Sequence, residues 1–410
     1  MRLTHLSLHN FRNYVRLDLD LVPGVTVLLG DNAQGKTNLL EAVFYLATSR
    51  SPHAGADREV VNWLAAEREP IPYARLVGRI SRGAGPDLAT PPGDVSLPHS
   101  GAEKGEAERD LTIEITLTQE VNNGSRFRKQ IRLNGVSRRA MDLLGHLNVV
   151  LFLPEDIALV YGAPGLRRHY LDVTLCQVEP AYCAALARYN EVVTQRNALL
   201  RDLGERGGNP AQLAFWDERL VKDGAYLVAR RHHALLLLDE LAHRVHGELT
   251  DGAERLHLRY LPSVEHAGLA DVEAIAAAFQ VGLEAQRKRE LSSGVTLVGP
   301  HRDEIRFLID EVDGGVYGSR GQQRTAALAL KLAEVELMRR ETGEQPVLLL
   351  DDILSELDGR RRRFLLNRLN DGLDQALVTA TDPHVFPADF LWQCCVWNVQ
   401  MGRLMEGNKE

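Results

Sequence analysis

The stretch Gly30-Asp31-Asn32-Ala33-Gln34-Gly35-Lys36-Thr37 completes the pattern G-x-x-x-x-G-K-[ST] and constrains this chain more than any other part of it. Its flanks have the required character. Val25-Thr26-Val27-Leu28-Leu29 in front is short, apolar and β-branched, as a buried strand is. Behind it, Asn38 to Leu46 places Leu39, Val43 and Leu46 on one helical face. A strand, a glycine loop and a helix N-terminus together cradle a phosphate, because the glycines let backbone N–H groups turn inward and the helix adds its partial positive charge. Lys36 is then expected to neutralise β- and γ-phosphates and the Thr37 hydroxyl to ligate Mg2+. Such a loop needs a carboxylate partner for the metal. Val347-Leu348-Leu349-Leu350-Asp351-Asp352 is an apolar strand ending in two acids, and it stands near the other end of the chain. Asp351 must therefore reach Thr37, so the two chain ends are predicted to build one α/β head and the middle to be an excursion from it.

Composition fits that plan. The 410 residues suffice for two or three domains, and 44% hydrophobic content supports ordinary cores. No apolar run reaches membrane-spanning length, and Met1-Arg2-Leu3-Thr4-His5-Leu6 carries no secretion-type apolar segment, so a cytoplasmic protein without a membrane partner is expected. The net charge of −8 excludes a uniformly basic coat but not a local basic face. The four cysteines read as reduced thiols, with Cys176 and Cys183 expected on one helix face and Cys394 and Cys395 alternating across a strand.

Along the chain, Leu3–Leu8 and Val15–Leu19 alternate as half-buried strands, and a second β region is predicted at Tyr73–Ile80, Leu111–Thr118 and Phe127–Leu133. Gly83 to Asp110 reads as a loop, and Asn123-Gly124 and Asn134-Gly135 as hairpin turns. Arg126, Arg128, Lys129 and Arg132 crowd these hairpins, and Arg126, Arg128 and Arg132 share a face by parity. They are either a solvated sheet edge or a strip that meets DNA phosphates. Long helices are predicted over Leu166–Leu203 and Ala211–Glu248 and a shorter one over Val272–Leu291, with Arg287-Lys288-Arg289 on the last as a solvated face or a DNA contact. Strands return at Val295–Val298 and Ile305–Ile309. Gly318-Ser319-Arg320-Gly321-Gln322-Gln323-Arg324 then opens a helix in the manner of a second anion site. The resulting division is a head part with its β lobe over 1–160, a helical arm over 161–294 and a second head part over 295–410.

These motifs resemble the RecF family of bacterial recombinational-repair proteins, within the ABC-type ATPases related to the structural-maintenance-of-chromosomes proteins. The likeness spans nearly the whole chain. It rests on Leu8–Tyr14, the phosphate loop, Phe152-Leu153-Pro154-Glu155-Asp156, Gly299-Pro300-His301-Arg302-Asp303, Gly318–Arg324 and Leu350–Asp358. It implies an ABC-type head with an added β lobe and an inserted helical arm, binding ATP and Mg2+. It also implies that Ser319, Gly321 and Gln322 complete the ATP site of a partner subunit, with Asn10 and Arg12 near the phosphates. Asp351 is implied as metal ligand, Asp352 as the group that activates water, and Glu155 as the occupant of the Q-loop place. The chain departs from the general ABC pattern in having Arg320 within the signature, Asp352 where a glutamate is usual and Glu155 where a glutamine is usual. The implied activity is slow ATP hydrolysis coupled to DNA binding, in a head dimer that clamps gapped or single-strand-containing DNA with RecO- and RecR-type mediators. The alternatives are the ATPase of an SMC-like nuclease complex, which a missing central C-x-x-C disfavours, and a transporter ATPase.

Overall fold

The computed structural model describes residues 1–68, 70–82, 109–120, 126–264, 271–370 and 372–406. They form two compact units: residues 1–154 with 338–410, and residues 155–337. The expected boundary at 294/295 differs from this division, because residues 295–337 group with the second unit.

In the first unit, two sheets enclose one helix. Strands β1 (Arg2–Phe11), β2 (Tyr14–Asp20), β4 (Tyr73–Arg82), β5 (Arg109–Gln119), β6 (Phe127–Leu133) and β7 (Val136–Arg138) form an antiparallel sheet in the order β2-β1-β4-β5-β6-β7. The second sheet draws on both chain ends. Its strands β3 (Gly24–Leu29), β8 (Val149–Phe152), β12 (Val347–Asp351), β13 (Gln375–Ala380), β14 (Cys395–Gln400) and β15 (Arg403–Glu406) run in the order β15-β14-β3-β13-β12-β8, parallel except for β15. β12 and β13 are buried at every position, as strands covered on both faces must be. Helix α1 (Lys36–Thr48) lies between the sheets. Its Leu39, Leu40, Val43 and Leu46 share one core with Leu3, Leu8, Ile80 and Ile115 of one sheet and Leu28, Leu151, Leu349 and Leu377 of the other.

The second unit holds helices Pro164–Val178, Pro180–Arg206, Ala214–Thr250 and Val272–Ser293 and the antiparallel sheet β11-β10-β9, with β9 at Leu256–Leu261, β10 at Glu304–Ile309 and β11 at Val312–Asp313. The 37-residue helix is about 55 Å long at 1.5 Å per residue. Arg196, wholly buried, joins three elements through Asp217 (2.8 Å), Glu290 (2.6 Å) and Thr296 (2.8 Å).

Three expectations are corrected. The continuous helix from Leu166 to Leu203 is two helices, because Pro180 removes an N–H and pushes Glu179 to an extended φ of −139°. Cys176 and Cys183 consequently belong to different helices. Val295–Val298 is not a strand: its backbone donors go to side chains, Thr296 N–H to Asn197 Oδ1 (2.7 Å) and Leu297 N–H to Glu290 Oε1 (2.9 Å). Most of the expected loop at 83–110 and the Asn123-Gly124 turn fall outside the described residues, whereas Asn134-Gly135 forms its turn with both φ positive, at 49° and 81°. No described helix is long and apolar enough to cross a membrane.

A buried side chain of the second sheet ties it to the first. Gln375, at the start of β13 and 1% exposed, accepts from Leu3 N–H and donates to Leu3 C=O, both at 2.8 Å. Gln375→Leu strands both groups, and each buried orphan costs about 1–3 kcal/mol. Chemical unfolding should show a loss of about 2–6 kcal/mol in the first unit, and unchanged stability would mean Leu3 finds other partners.

Candidate nucleotide site

The phosphate loop leaves β3 at Gly30 and enters α1 at Gly35, with φ of 151° and 115°. A Cβ at Gly30 would stand 2.4 Å from the Val399 carbonyl oxygen, and at Gly35 2.5 Å from Asn13 Nδ2, so neither position accepts a side chain. The loop is gripped from two hairpins. At the β1–β2 turn, Asn13 Nδ2 donates to Gln34 C=O (2.9 Å) and the Tyr14 hydroxyl to Gly35 C=O (2.9 Å). At the β14–β15 turn, Met401 N–H donates to Gln34 Oε1 (2.8 Å) and Gly402 N–H to Gln34 C=O (2.9 Å). Asn13 Oδ1 also accepts from Asn38 at 2.9 Å. Backbone N–H groups are thereby held in place before any ligand arrives, which lowers the ordering cost of binding.

Lys36, 6% exposed, folds back to donate to the carbonyls of Gly30 (2.6 Å) and Asp31 (2.9 Å). Burial lowers its pKa, opposed by the nearby charges of Asp352, Asp351 and Asp31. The Thr37 hydroxyl donates to Asp351 Oδ1 (3.0 Å) and Oδ2 (2.8 Å), across a separation of 314 residues. Thr379 of β13 donates its hydroxyl to Asp351 Oδ1 (2.8 Å) and accepts from Asp352 N–H (2.9 Å), fixing both acids. Asp352 sits in the left-handed region, at φ 50°. Its Oδ1 is buried without a hydrogen-bond partner. A hydroxyl, a carboxylate and an unpartnered carboxylate oxygen make an oxygen-only donor set, which suits a hard divalent cation. An open cleft of about 250 Å³ runs over these groups, lined by Asn32, Ala33, Gly35, Lys36, Thr37, Asn38, Pro154, Asp351 and Asp352.

Other predicted residues lie elsewhere. Glu155 follows Pro154 but is exposed and belongs to the second unit. Asn10 is 2% exposed, and both it and Arg12 have positive φ. Arg12 commits three donors within the fold: Nε and Nη2 to Glu41 (2.8 and 2.6 Å) and Nη1 to Glu59 C=O (2.8 Å). It is Asn13 that touches the loop. In the second unit, Ser319 and Gln322 form a reciprocal cap at the helix Arg320–Thr342: Ser319 N–H donates to Gln322 Oε1 (2.8 Å) and Gln322 N–H to Ser319 Oγ (3.2 Å). Ser319, Arg320 and Gly321 are exposed, beside Val316 and Tyr317 at 69% and 76% exposure. On β6, Arg128 is exposed and Arg132 half-buried on one face, and Arg126 just before the strand is exposed. Lys129 points the other way, to Ser49 C=O (2.6 Å), Asp57 (2.9 Å) and the Tyr45 ring. Sequence reasoning did not single out Asn13, Tyr14, Thr379 or the Met401-Gly402 turn. A hydroxyl within the apolar run Ala376–Ala380 was the one legible sign of Thr379.

Comparison with known proteins bears on what such a cleft serves. A family model described as the RecF/RecN/SMC N terminal domain matches residues 2–389. The chain is 46% identical over 413 residues to the DNA replication and repair protein RecF of Roseiflexus castenholzii, covering 98% of this chain and 99% of that one. The chain belongs to the RecF family. Its likeness to the RecF of Chloroflexus aurantiacus is 43% over 416 residues, with 99% and 100% covered. A solved structure of the recombination mediator protein RecF with ATP, of the RecFOR pathway, superposes with a TM-score of 0.82 at 31% identity, covering 99% of this chain and 97% of that one. An Smc head shares the fold at 14% identity, with a TM-score of 0.52.

Lys36→Met removes the one ammonium in the cradle while leaving the amide grip of Asn13 and Gly402 intact. ATP affinity should fall about 10- to 100-fold, the worth of a charge-assisted contact, with unchanged circular dichroism. Equal affinity in a folded variant would show that Lys36 does not meet the phosphates.

Proposed function

We propose that this protein is an ATP-dependent DNA-binding ATPase of recombinational DNA repair, whose heads dimerise around ATP and clamp gapped or single-strand-containing DNA. The observation that carries the reading is the Thr37–Asp351 hydrogen bond beside the buried Lys36, because it joins the two halves of a nucleotide site from opposite chain ends. The family supports the biological setting: the relatives are named DNA replication and repair proteins, and the ATP-bound structure is a recombination mediator.

In this reading ATP lies on the loop amides with Lys36 at its β- and γ-phosphates. Thr37 and Asp351 would hold Mg2+, which supplies charge neutralisation at the phosphates when bound. Asp352, with its free oxygen, orients and deprotonates the attacking water. The Ser319-Arg320-Gly321-Gln322 cap, exposed at its first three residues, faces the triphosphate of a second copy, so ATP is part of the contact between heads. Hydrolysis removes that contact and opens the clamp. Turnover is slow, since Asp352 is one methylene shorter than glutamate and Arg320 adds bulk within the cap. Arg126, Arg128 and Arg132 supply the strip that meets DNA phosphates. Lys129, engaged inside the fold, contributes to the strip's support instead. RecO- and RecR-type proteins are the partners, and the RecFOR setting of the ATP-bound relative supports them.

Sedimentation with and without ATP tests the dimer. Wild type should associate with ATP alone. Ser319→Arg should keep ATP binding, because Lys36 and the loop are untouched, and should fail to dimerise. Asp352→Asn should do the reverse and accumulate the ATP-bound dimer, asparagine being tolerant of the left-handed backbone there. A wild type that stays monomeric at saturating ATP would leave a solitary ATPase.

DNA affinity should fall steeply with salt as counterions are released. Arg128→Ala with Arg132→Ala should flatten the log–log salt slope by about one to two units. An unchanged slope would make these arginines a solvated sheet edge.

A further inference from the structure

The Gly299-Pro300-His301-Arg302-Asp303 stretch takes no part in the nucleotide cleft. Its His301 lines a cavity of about 290 Å³ within the second unit. Gly299, at φ 127°, is obligatory there, because a Cβ would stand 2.2 Å from the Tyr189 hydroxyl oxygen. That closeness lets Tyr189 donate to His301 Nδ1 (2.7 Å), while His301 Nε2 lies 3.1 Å from the Thr296 carbonyl. A carbonyl only accepts, so Nε2 carries the hydrogen and Nδ1 the lone pair. Burial pushes the His301 pKa down to about 4, and the imidazole brings no charge at neutral pH.

The charged groups lining this cavity are the guanidinium groups of Arg168 and Arg231 and the carboxylate of Asp172. The surrounding carboxylates are already committed. Glu304 pairs with Arg167 (2.8 Å). Asp172 accepts from Arg231 Nη2 (2.8 Å) and the Tyr182 hydroxyl, and Asp303 from Arg231 Nη1 (3.4 Å), Tyr260 and Ser263 N–H. Among the described residues Arg168 makes no ion pair. Its one hydrogen bond runs from Nη1 to the Asp303 backbone carbonyl, at 2.7 Å. The rest of its fork is left for whatever enters, with the exposed His169 and Asn190 beside it.

We propose that this cavity binds a phosphate-class anion, either inorganic phosphate or the phosphomonoester of a small nucleotide, with Arg168 as its charged contact. A planar guanidinium with free donors matches a phosphate in geometry as well as charge. The volume leaves room beyond the phosphate for the group that carries it, against the Leu186 side of the cavity. Seating the anion also screens Arg168 from Arg231. The site is independent of the ATP reading.

The test uses the full-length Lys36→Met protein, in which the nucleotide cleft is weakened, titrated by calorimetry with inorganic phosphate and separately with AMP. Saturable binding of one anion per chain is expected. Arg168→Gln and His169→Glu should each weaken it about tenfold or more. His169 is an exposed rim residue, so its variant keeps the fold even if Arg168→Gln does not. Equal affinity for phosphate and AMP would identify free phosphate as the ligand, and tighter AMP binding a nucleotide, both upholding the site. Absence of saturable binding, or affinity unchanged in both variants, would overturn it.

Discussion

The Thr37–Asp351 hydrogen bond depends on a sheet that takes its strands from both ends of the chain. β3 pairs with β13, and β13 with β12, so the phosphate-loop strand has C-terminal neighbours on both sides once β14 is added. Closing so long a loop costs little more than closing a shorter one, because loop entropy grows only logarithmically. The fully buried strands Val347–Asp351 and Gln375–Ala380 offset that cost by removing continuous apolar surface from water. Once the register is set, Asp351 and Thr379 face each other at the carboxyl ends of adjacent strands, where open α/β sheets place their ligands.

Helix α1 gives that sheet a second dependence. One of its ends presents Lys36 and Thr37 to the cleft, and its flanks fill the space between two sheets. The loop before it is held by Asn13 and Tyr14 from the antiparallel sheet and by the Met401-Gly402 turn from the parallel one. The cradle is therefore rigid only where both sheets are correctly formed. Backbone strain gathers in the same region. Asn10, Arg12, Ala33 and Asp352 all have positive φ, a conformation that costs non-glycine residues energy and persists where surrounding contacts over-determine it.

The second unit is organised by buried cations instead of a large sheet. Arg196 and Arg231 are each held by carboxylates from other elements, and removing one partner of such a set leaves an uncompensated buried charge. That economy of pairing also explains Arg168. Asp172, Asp303 and Glu304 are already taken, so Arg168, which makes no ion pair among the described residues, faces a cavity.

The sequence alone determined the features that depend on spacing and local chemistry. The G-x-x-x-x-G-K-T loop, the apolar strand ending in Asp351-Asp352 and the requirement that the chain ends meet all follow from fixed offsets and the chemistry of a nucleotide. Strand parity separated Lys129 from Arg128 and Arg132, since side chains alternate faces with period two. Tertiary structure decided which face turned inward, and Ser49 and Asp57, far from Lys129 in sequence, made that choice. It also gave Arg12 to Glu41 and the loop contact to Asn13, two adjacent polar residues that no local pattern distinguishes. Val295–Val298 looks like a strand in isolation, yet Asn197 of a helix distant in sequence and Glu290 of the helix just before it supply its hydrogen-bond partners. Periodicity reports a segment's own preference. It does not report which remote side chain will satisfy its backbone or its charge.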